Sequence, residues 1–271
     1  MYSNRLAYRF LSAVFISTVL FFTGCDLVSK SEYAQNPNDE VLNLNVQFTE
    51  YVQSDQPPEL HLLLVTKKIY PCYNYQLQTE QVDKQSTDIR LVLEIGDVNT
   101  GGVCATAIGP ARARISFDQR ADINELLLIN YDFTDRLNIE ITSEKAVVEL
   151  SEGTFTEVEE TTFNRTPPYS MYARCSPQQD APEVCDLFYN ELEALEFISR
   201  FEFPEDGILP FPVAHESSSL EYRYYLYGAE DNFEELLSNF PEIADQIIED
   251  YPESNFLIMN WKRNFYNTAH N

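Results

Sequence analysis

Residues 42–49 read Leu-Asn-Leu-Asn-Val-Gln-Phe-Thr, with an apolar side chain at every second position. A strand turns successive side chains to opposite faces, so a period of two describes a strand with one face in a core and the other in water. The pattern returns further along. Ile89, Leu91, Leu93 and Ile95 form one run, and Ala111, Ala113, Ile115 and Phe117 another, with Arg112 and Arg114 turned outward. Leu137, Ile139 and Ile141 continue it, followed by Ala146, Val148 and Leu150. Turn-forming residues separate the runs at Pro57-Pro58, Thr100-Gly101-Gly102, Gly109-Pro110 and 132–135. About eight short strands at this spacing predict an antiparallel β-sandwich over residues 41–163, Ig-like in architecture only.

After Pro167-Pro168 the period lengthens to that of a helix. Val184, Leu187, Phe188, Leu192, Leu195 and Ile198 make one stripe; Phe233, Leu236, Leu237, Phe240, Ile243, Ile247 and Ile248 make a second. Pro241 falls inside the second stripe and has no N–H to donate, so it is expected to split or kink that helix. Strand-like runs at 170–175, 200–203, 220–227 and 255–263 complete the order β-α-β-β-α-β over residues 164–271. That order is the ferredoxin-like one. The class expected is therefore a two-domain chain, β followed by α+β.

The composition is compatible with both parts. The chain has 271 residues, 44% hydrophobic and 13% aromatic, enough to build cores of this size. Its 44 Asp+Glu against 18 Lys+Arg leave a net charge of −26. Such a surface repels phosphate backbones and argues against a nucleic-acid partner. Excess carboxylate with only six lysines also suits solubility in high salt, where long-range repulsion is screened.

The start of the chain has its own grammar. Arg5 and Arg9 precede an apolar run over residues 10–22, and no other charge occurs before Asp26. A bilayer-spanning helix needs about 20 apolar residues, so this shorter run reads as a signal peptide over residues 1–24. Phe22-Thr23-Gly24-Cys25 resembles the lipobox of bacterial lipoproteins, with Phe22 where the common pattern has leucine. The resemblance covers the leader alone. It implies that Cys25 is acylated and becomes the mature N-terminus, so that several acyl chains hold the protein on a membrane without spanning it. Residues 25–40 are polar and aperiodic and read as a flexible tether that lifts the folded part off the membrane. The place expected is a cell envelope, with the folded part facing the periplasm or the cell surface.

Setting Cys25 aside leaves Cys72, Cys104, Cys175 and Cys185, an even number in an exported chain, which points to disulfides. Four cysteines allow three pairings. Keeping each bridge within one predicted domain favours Cys72–Cys104 and Cys175–Cys185. No CxxC spacing occurs and no histidine lies near a cysteine in sequence, so no metal site is expected there.

Catalytic motifs are absent from the sequence. With eight glycines, the chain has no GxGxxG or Walker loop to cradle a phosphate, and no cofactor is expected. His61, His215 and His270 stand far apart, without HExxH. No GxSxG elbow is present, and His215-Glu216-Ser217 reads as a solvated loop. Glu157, Glu159 and Glu160 read as a solvated strand face rather than a glycosidase pair. Asp118, Asp122, Asn124, Asp132 and Asp135 could offer oxygens to Ca²⁺ from strand-connecting loops, though without EF-hand spacing.

The aromatic pattern is the most informative remainder. In residues 220–227 one face would carry Leu220, Tyr222, Tyr224 and Leu226, the other Glu221, Arg223, Tyr225 and Tyr227. In 255–263, Leu257, Met259, Trp261 and Arg263 share a face. If helices cover one side of this sheet, the other side is expected to present Arg223, Tyr225, Tyr227, Trp261 and Arg263 to a protein or glycan partner. Three classes of function are then open: a membrane-tethered, non-catalytic interaction module of the envelope, a carboxylate-dependent glycan hydrolase, or a purely structural envelope component. The missing catalytic motifs favour the first.

Overall fold

The alternation over 42–49 becomes β1 (Leu44–Tyr51), with Leu44, Val46 and Phe48 buried and the residues between them half-exposed. In the computed structural model the described residues are 41–271 apart from 54, 73, 83–88, 101–106, 118–121, 205, 212–220 and 269–271. The signal peptide, the tether, Cys25 and Cys104 lie outside them.

Nine further strands join β1: β2 (Glu59–Tyr70), β3 (Tyr75–Gln81), β4 (Arg90–Thr100), β5 (Gly109–Ser116), β6 (Glu125–Asn130), β7 (Phe133–Ile141), β8 (Lys145–Glu152), β9 (Thr156–Glu157) and β10 (Thr162–Asn164). They form one curled sheet in the order β10-β8-β7-β6-β4-β3-β5-β2-β1-β9. The curl brings β1 against β8 and β10, strands remote from it in that order. One apolar cluster fills the inside, with Phe48 meeting Phe117 edge-on at 5.5 Å. Burying each such side chain contributes roughly 1.5–3 kcal/mol.

The expectation of a purely antiparallel arrangement is corrected. β1–β9, β3–β5 and β4–β6 pair in parallel; the other ladders are antiparallel. The cause is the placement of β5. It pairs along β2 instead of returning to β4, so the chain comes back to lay β6 beside β4 in the same direction. A period of two records which face is buried and carries no information on direction.

Seven elements follow: β11 (Ser170–Ser176), α1 (Glu183–Glu193), β12 (Ser199–Phe201), β13 (Glu221–Leu226), α2 (Glu230–Asp250), β14 (Asn255–Asn260) and β15 (Phe265–Asn267). The five strands form a second, antiparallel sheet in the order β12-β13-β11-β14-β15. β15 is additional to the expected order; its three residues are too few to display a period. α2 is continuous through Pro241, so of the split or kink expected there the split does not occur. Phe240 and Ala244 on either side of the proline are fully buried, and that packing holds the helix together where one backbone bond is lost. In α1 the buried stripe is Val184, Cys185, Phe188, Tyr189 and Leu192, while Leu187 is exposed.

The two sheets are joined through named groups. The Glu50 carboxylate, at the end of β1, accepts from the Thr166 N–H (3.1 Å) and the Thr166 hydroxyl, with Arg165 Nε at 3.7 Å. Burial pushes this carboxyl above the usual range; the Thr166 donors and the charges of Arg165 and Arg263 pull the other way. A second join is made by residues 204–211. Ile208 pairs with Phe163 of β10, and its N–H donates to the Thr162 carbonyl at 2.9 Å. Gly207 makes this approach possible. Its φ is +95°, and a Cβ there would stand 2.8 Å from the Thr162 carbonyl oxygen.

Candidate functional site

The second sheet has two unlike faces. On one, Met171, Ala173 and Cys175 of β11 and Phe256 and Ile258 of β14 lie beneath α1 and α2 in a closed core. Phe188 of α1 stacks on Phe256 at 4.6 Å and meets Phe240 of α2 edge-on at 5.8 Å. The Cys175–Cys185 disulfide pins β11 to α1 on this side. Cys72 is also disulfide-bonded; its expected partner, Cys104, is outside the described residues.

The face expected to be open is this closed one. Tyr225 and Tyr227 are 0% exposed and belong to the helix-covered core. The Tyr225 hydroxyl donates to Glu193 Oε1 at 3.0 Å, and burial, reinforced by that carboxylate, raises its pKa far above the usual value. Burial raises Tyr227 likewise, with Glu230 adding to the effect. Arg223 shares the side: its guanidinium lies 4.1 Å over the Tyr189 ring and donates to Glu193 and Asp186 at 3.2 Å each. Trp261 packs against Tyr169 at 5.6 Å, near the rim of the same core. Arg263 departs from the other four. It adopts φ +66°, reaches across to the opposite face, and donates to the Pro210 carbonyl at 3.4 Å with its guanidinium 5.8 Å from the Phe211 ring. The five residues therefore make no common binding surface.

The open face is carried by the alternate residues. Tyr172 of β11, Tyr222 and Tyr224 of β13 and Met259 of β14 meet Phe203 and Phe211 from the 204–211 connection and its approach. Phe211 stacks on Tyr224 at 5.8 Å, Phe203 meets Tyr224 edge-on at 5.2 Å, and Phe201 meets Phe203 at 4.9 Å. Beside these rings runs a groove of about 630 Å³ lined by Phe201, Phe203, Ile208, Leu209, Tyr222 and Tyr224, with Arg200 and Glu202 at its rim. Arg200 and Glu202 are paired at 3.0 Å and both well exposed. Burial holds the Tyr172 and Tyr224 hydroxyls above the usual tyrosine range, so they remain neutral donors at any ordinary pH. Flat apolar rings with neutral hydroxyls and one charged pair suit a ligand that is part apolar and part hydrogen-bonding.

A signal for the choice of face was present in the sequence. Cys175 must point at Cys185 in the predicted helix, so Met171, Ala173 and Cys175 face the helices and Tyr172 and Arg174 face away. What that signal lacks is the register, Tyr172 opposite Tyr224, which carries the assignment across to β13.

Other candidates are placed differently. Asp135 is fully buried, and its carboxylate accepts from the N–H groups of Thr154, Phe155 and Thr156 at 2.7, 3.0 and 2.7 Å. It anchors the turn after β8, with both oxygens engaged by main chain. Asp118 lies outside the described residues. Among the described residues no group of three or more His, Cys, Asp or Glu side chains converges, and no helix is long and apolar enough to cross a membrane.

Fold and groove together define a β-rich protein with a curled mixed sheet, a helix-backed antiparallel sheet and an aromatic cleft. No protein-family model, no curated protein and no solved structure matches the chain.

Proposed function

We propose that this chain is a lipid-anchored component of a bacterial cell envelope that binds a ligand without transforming it, and that the aromatic groove of the second sheet is where it binds. The observation that carries the reading is the row Phe201, Phe203, Tyr222 and Tyr224 beside a cleft of about 630 Å³. Anchorage rests on the Phe22-Thr23-Gly24-Cys25 leader, and the Cys175–Cys185 bridge agrees with an oxidising compartment. Within this reading the second sheet is a ferredoxin-like unit, supported by its order β12-β13-β11-β14 with a helix after the first and third of these strands in sequence. The first is sandwich-like, supported by the single residue pair that joins its halves at β3 and β5 and by the common core between them.

The anchor is tested by fractionating cells that express the native chain or Cys25→Ser. The native chain should sediment with membranes and the variant should be released; a variant that stays bound ends the lipoprotein reading. The groove is tested with a panel of soluble envelope oligosaccharides and peptides, read by thermal shift on the purified protein. A ligand whose stabilisation vanishes in Tyr222→Ser supports binding at the groove. Turnover of a panel member, lost on changing one carboxylate, overturns the non-catalytic reading.

A further inference from the structure

The curled sheet has two ends, and its ladders fix which residues meet at each. β1 begins beside the end of β2: Leu44 stands opposite Thr66, and the Lys67 N–H donates to the Asn43 carbonyl at 2.8 Å. β2 ends in turn beside the start of β5, with Tyr70 opposite Gly109. On the other flank the Asn130 side chain, at the end of β6, donates to the Leu42 carbonyl at 3.0 Å. The chain therefore enters the sheet, at residues 41–43, between the β2–β5 end and the β6–β7 turn. The opposite end of β1 holds Glu50 and, through Thr166, the second sheet. The eight residues of β1 set the two ends about 25 Å apart.

The entry end carries apolar side chains that water reaches. Ile69 is 50% exposed and Ile108 71%, at the last rung between β2 and β5; Tyr131 is 53% and Phe133 43% exposed, at the β6–β7 turn. Tyr131 adopts φ +55°, a conformation that favours glycine or asparagine, so the needs of the turn do not account for a tyrosine there. At the opposite end of this sheet the exposed large apolar residues, among those described, are Tyr51 and Ile89. Tyr51 is accompanied by the His61 ring at 5.9 Å and the Arg114 guanidinium at 5.3 Å.

The entry end is also the one that a lipid anchor reaches first. Residues 26–40 separate Cys25 from Val41, and a flexible coil of that length spans about 20 Å root mean square. A body tethered so closely meets the bilayer at an effective concentration on the order of millimolar, so a contact too weak to recruit free protein is enough to orient an anchored one. Aromatic and branched apolar side chains suit the boundary between headgroups and acyl chains. The charges nearby do not call for anionic lipid: Lys67 is paired with Glu157, and Asp132 stands between the two aromatic residues of the turn.

We propose that the entry end of the curled sheet is a membrane-contact rim, in which Ile69 and Ile108 on one side of the entry point and Tyr131 and Phe133 on the other seat in the interface of a zwitterionic bilayer. The inference rests on the lipid-anchor reading above. It stands the folded part on that end and holds the second sheet, with its aromatic groove, away from the lipid.

The test uses the full chain, processed and acylated in cells and reconstituted into phosphatidylcholine vesicles. A carbene generated from a photoactivatable phosphatidylcholine should label peptides that carry Ile69, Ile108 and residues 131–133, and should spare those that carry Phe203 and Tyr224. Trp261 is the one tryptophan of the native chain, and lipids brominated near the headgroup should leave its emission unchanged. Phe133→Trp adds an indole at the rim, which the same lipids should quench. Labelling of the rim should fall about tenfold or more in Ile108→Glu with Tyr131→Glu, while the chain still floats with the vesicles and keeps its circular dichroism. Label spread over the second sheet, quenching of Trp261, or an unlabelled rim in a chain that floats overturns the proposal and leaves the anchor standing. A chain that does not float ends the anchor reading and this one with it. Stronger labelling on addition of phosphatidylglycerol would assign the contact to Lys67 and Lys68 instead of the apolar rim, and also overturns it. So do concentration-dependent dimers that shield the rim, which would assign it to a second copy.

Discussion

The two faces of the small sheet are built from the same residue types and do opposite things. Tyr225 and Tyr227 lie under two helices with every ring enclosed; Tyr222 and Tyr224, one residue away along β13, stand beside a groove. The difference is not in the strand. It comes from what the chain places over each side: α1 and α2 on one and, among the described residues, the connection ending at Phe211 on the other. Aromatic residues stabilise the first face by being excluded from water, and on the second Tyr222 and Tyr224 stay partly exposed beside the groove.

The largest effect should come from the closed face. Tyr225→Ala removes a fully buried ring together with its bond to Glu193, and should cost about 3–5 kcal/mol in urea unfolding. A loss under about 1 kcal/mol would show that this face is not the core. Next is the covalent tie on the same side. Cys175→Ser with Cys185→Ser opens a short loop between β11 and α1 and should cost about 2–4 kcal/mol. An unchanged melting temperature would mean that helix packing alone holds α1 in place.

At the join below the open face, Glu50→Ala leaves the Thr166 N–H and hydroxyl without their acceptor, at about 1–3 kcal/mol. Glu50→Gln keeps an acceptor and tests the charge. The folded carboxyl titrates above its ordinary value of 4.5, so its contribution is fully present below that pH and is lost as pH rises through the folded value. The glutamine variant should therefore gain stability relative to the native protein between acid and neutral pH. A gain of the opposite sign would mean that Arg165 and Arg263 outweigh burial. The smallest structural effect belongs to the open face itself. Tyr222→Ser should change stability by about 1 kcal/mol or less while abolishing ligand binding at the groove. A loss comparable to that of Tyr225→Ala would make both faces core and leave no site.

The sequence carried much of this architecture. The alternation at 42–49, 111–117 and 137–141 lies within or across β1, β5 and β7, and the two helical stripes became α1 and α2. Strand direction was not legible, because period two is the same for parallel and antiparallel neighbours. Which face of β13 the helices cover was not legible for a related reason: Tyr222 to Tyr225 is an aromatic and arginine run in which both parities satisfy a core. Phe203 ends the strand-like run at 200–203 but falls beyond β12, and Phe211 lies outside any periodic run. They acquire meaning only when Ile208 is seen paired with Phe163.

That pairing also bears on the order in which the molecule can be made. A chain emerging from its N-terminus completes the ten strands of the large sheet by Asn164, yet Phe163 meets Ile208 only 45 residues later. Until then the outer edge of β10 has lost neither its hydrogen-bonding capacity nor its exposure to other nascent chains. The strap closes that edge and roofs the aromatic face in one event, so a polypeptide stalled or cleaved between residues 164 and 208 would have its large sheet complete, its last edge unguarded, and no groove at all.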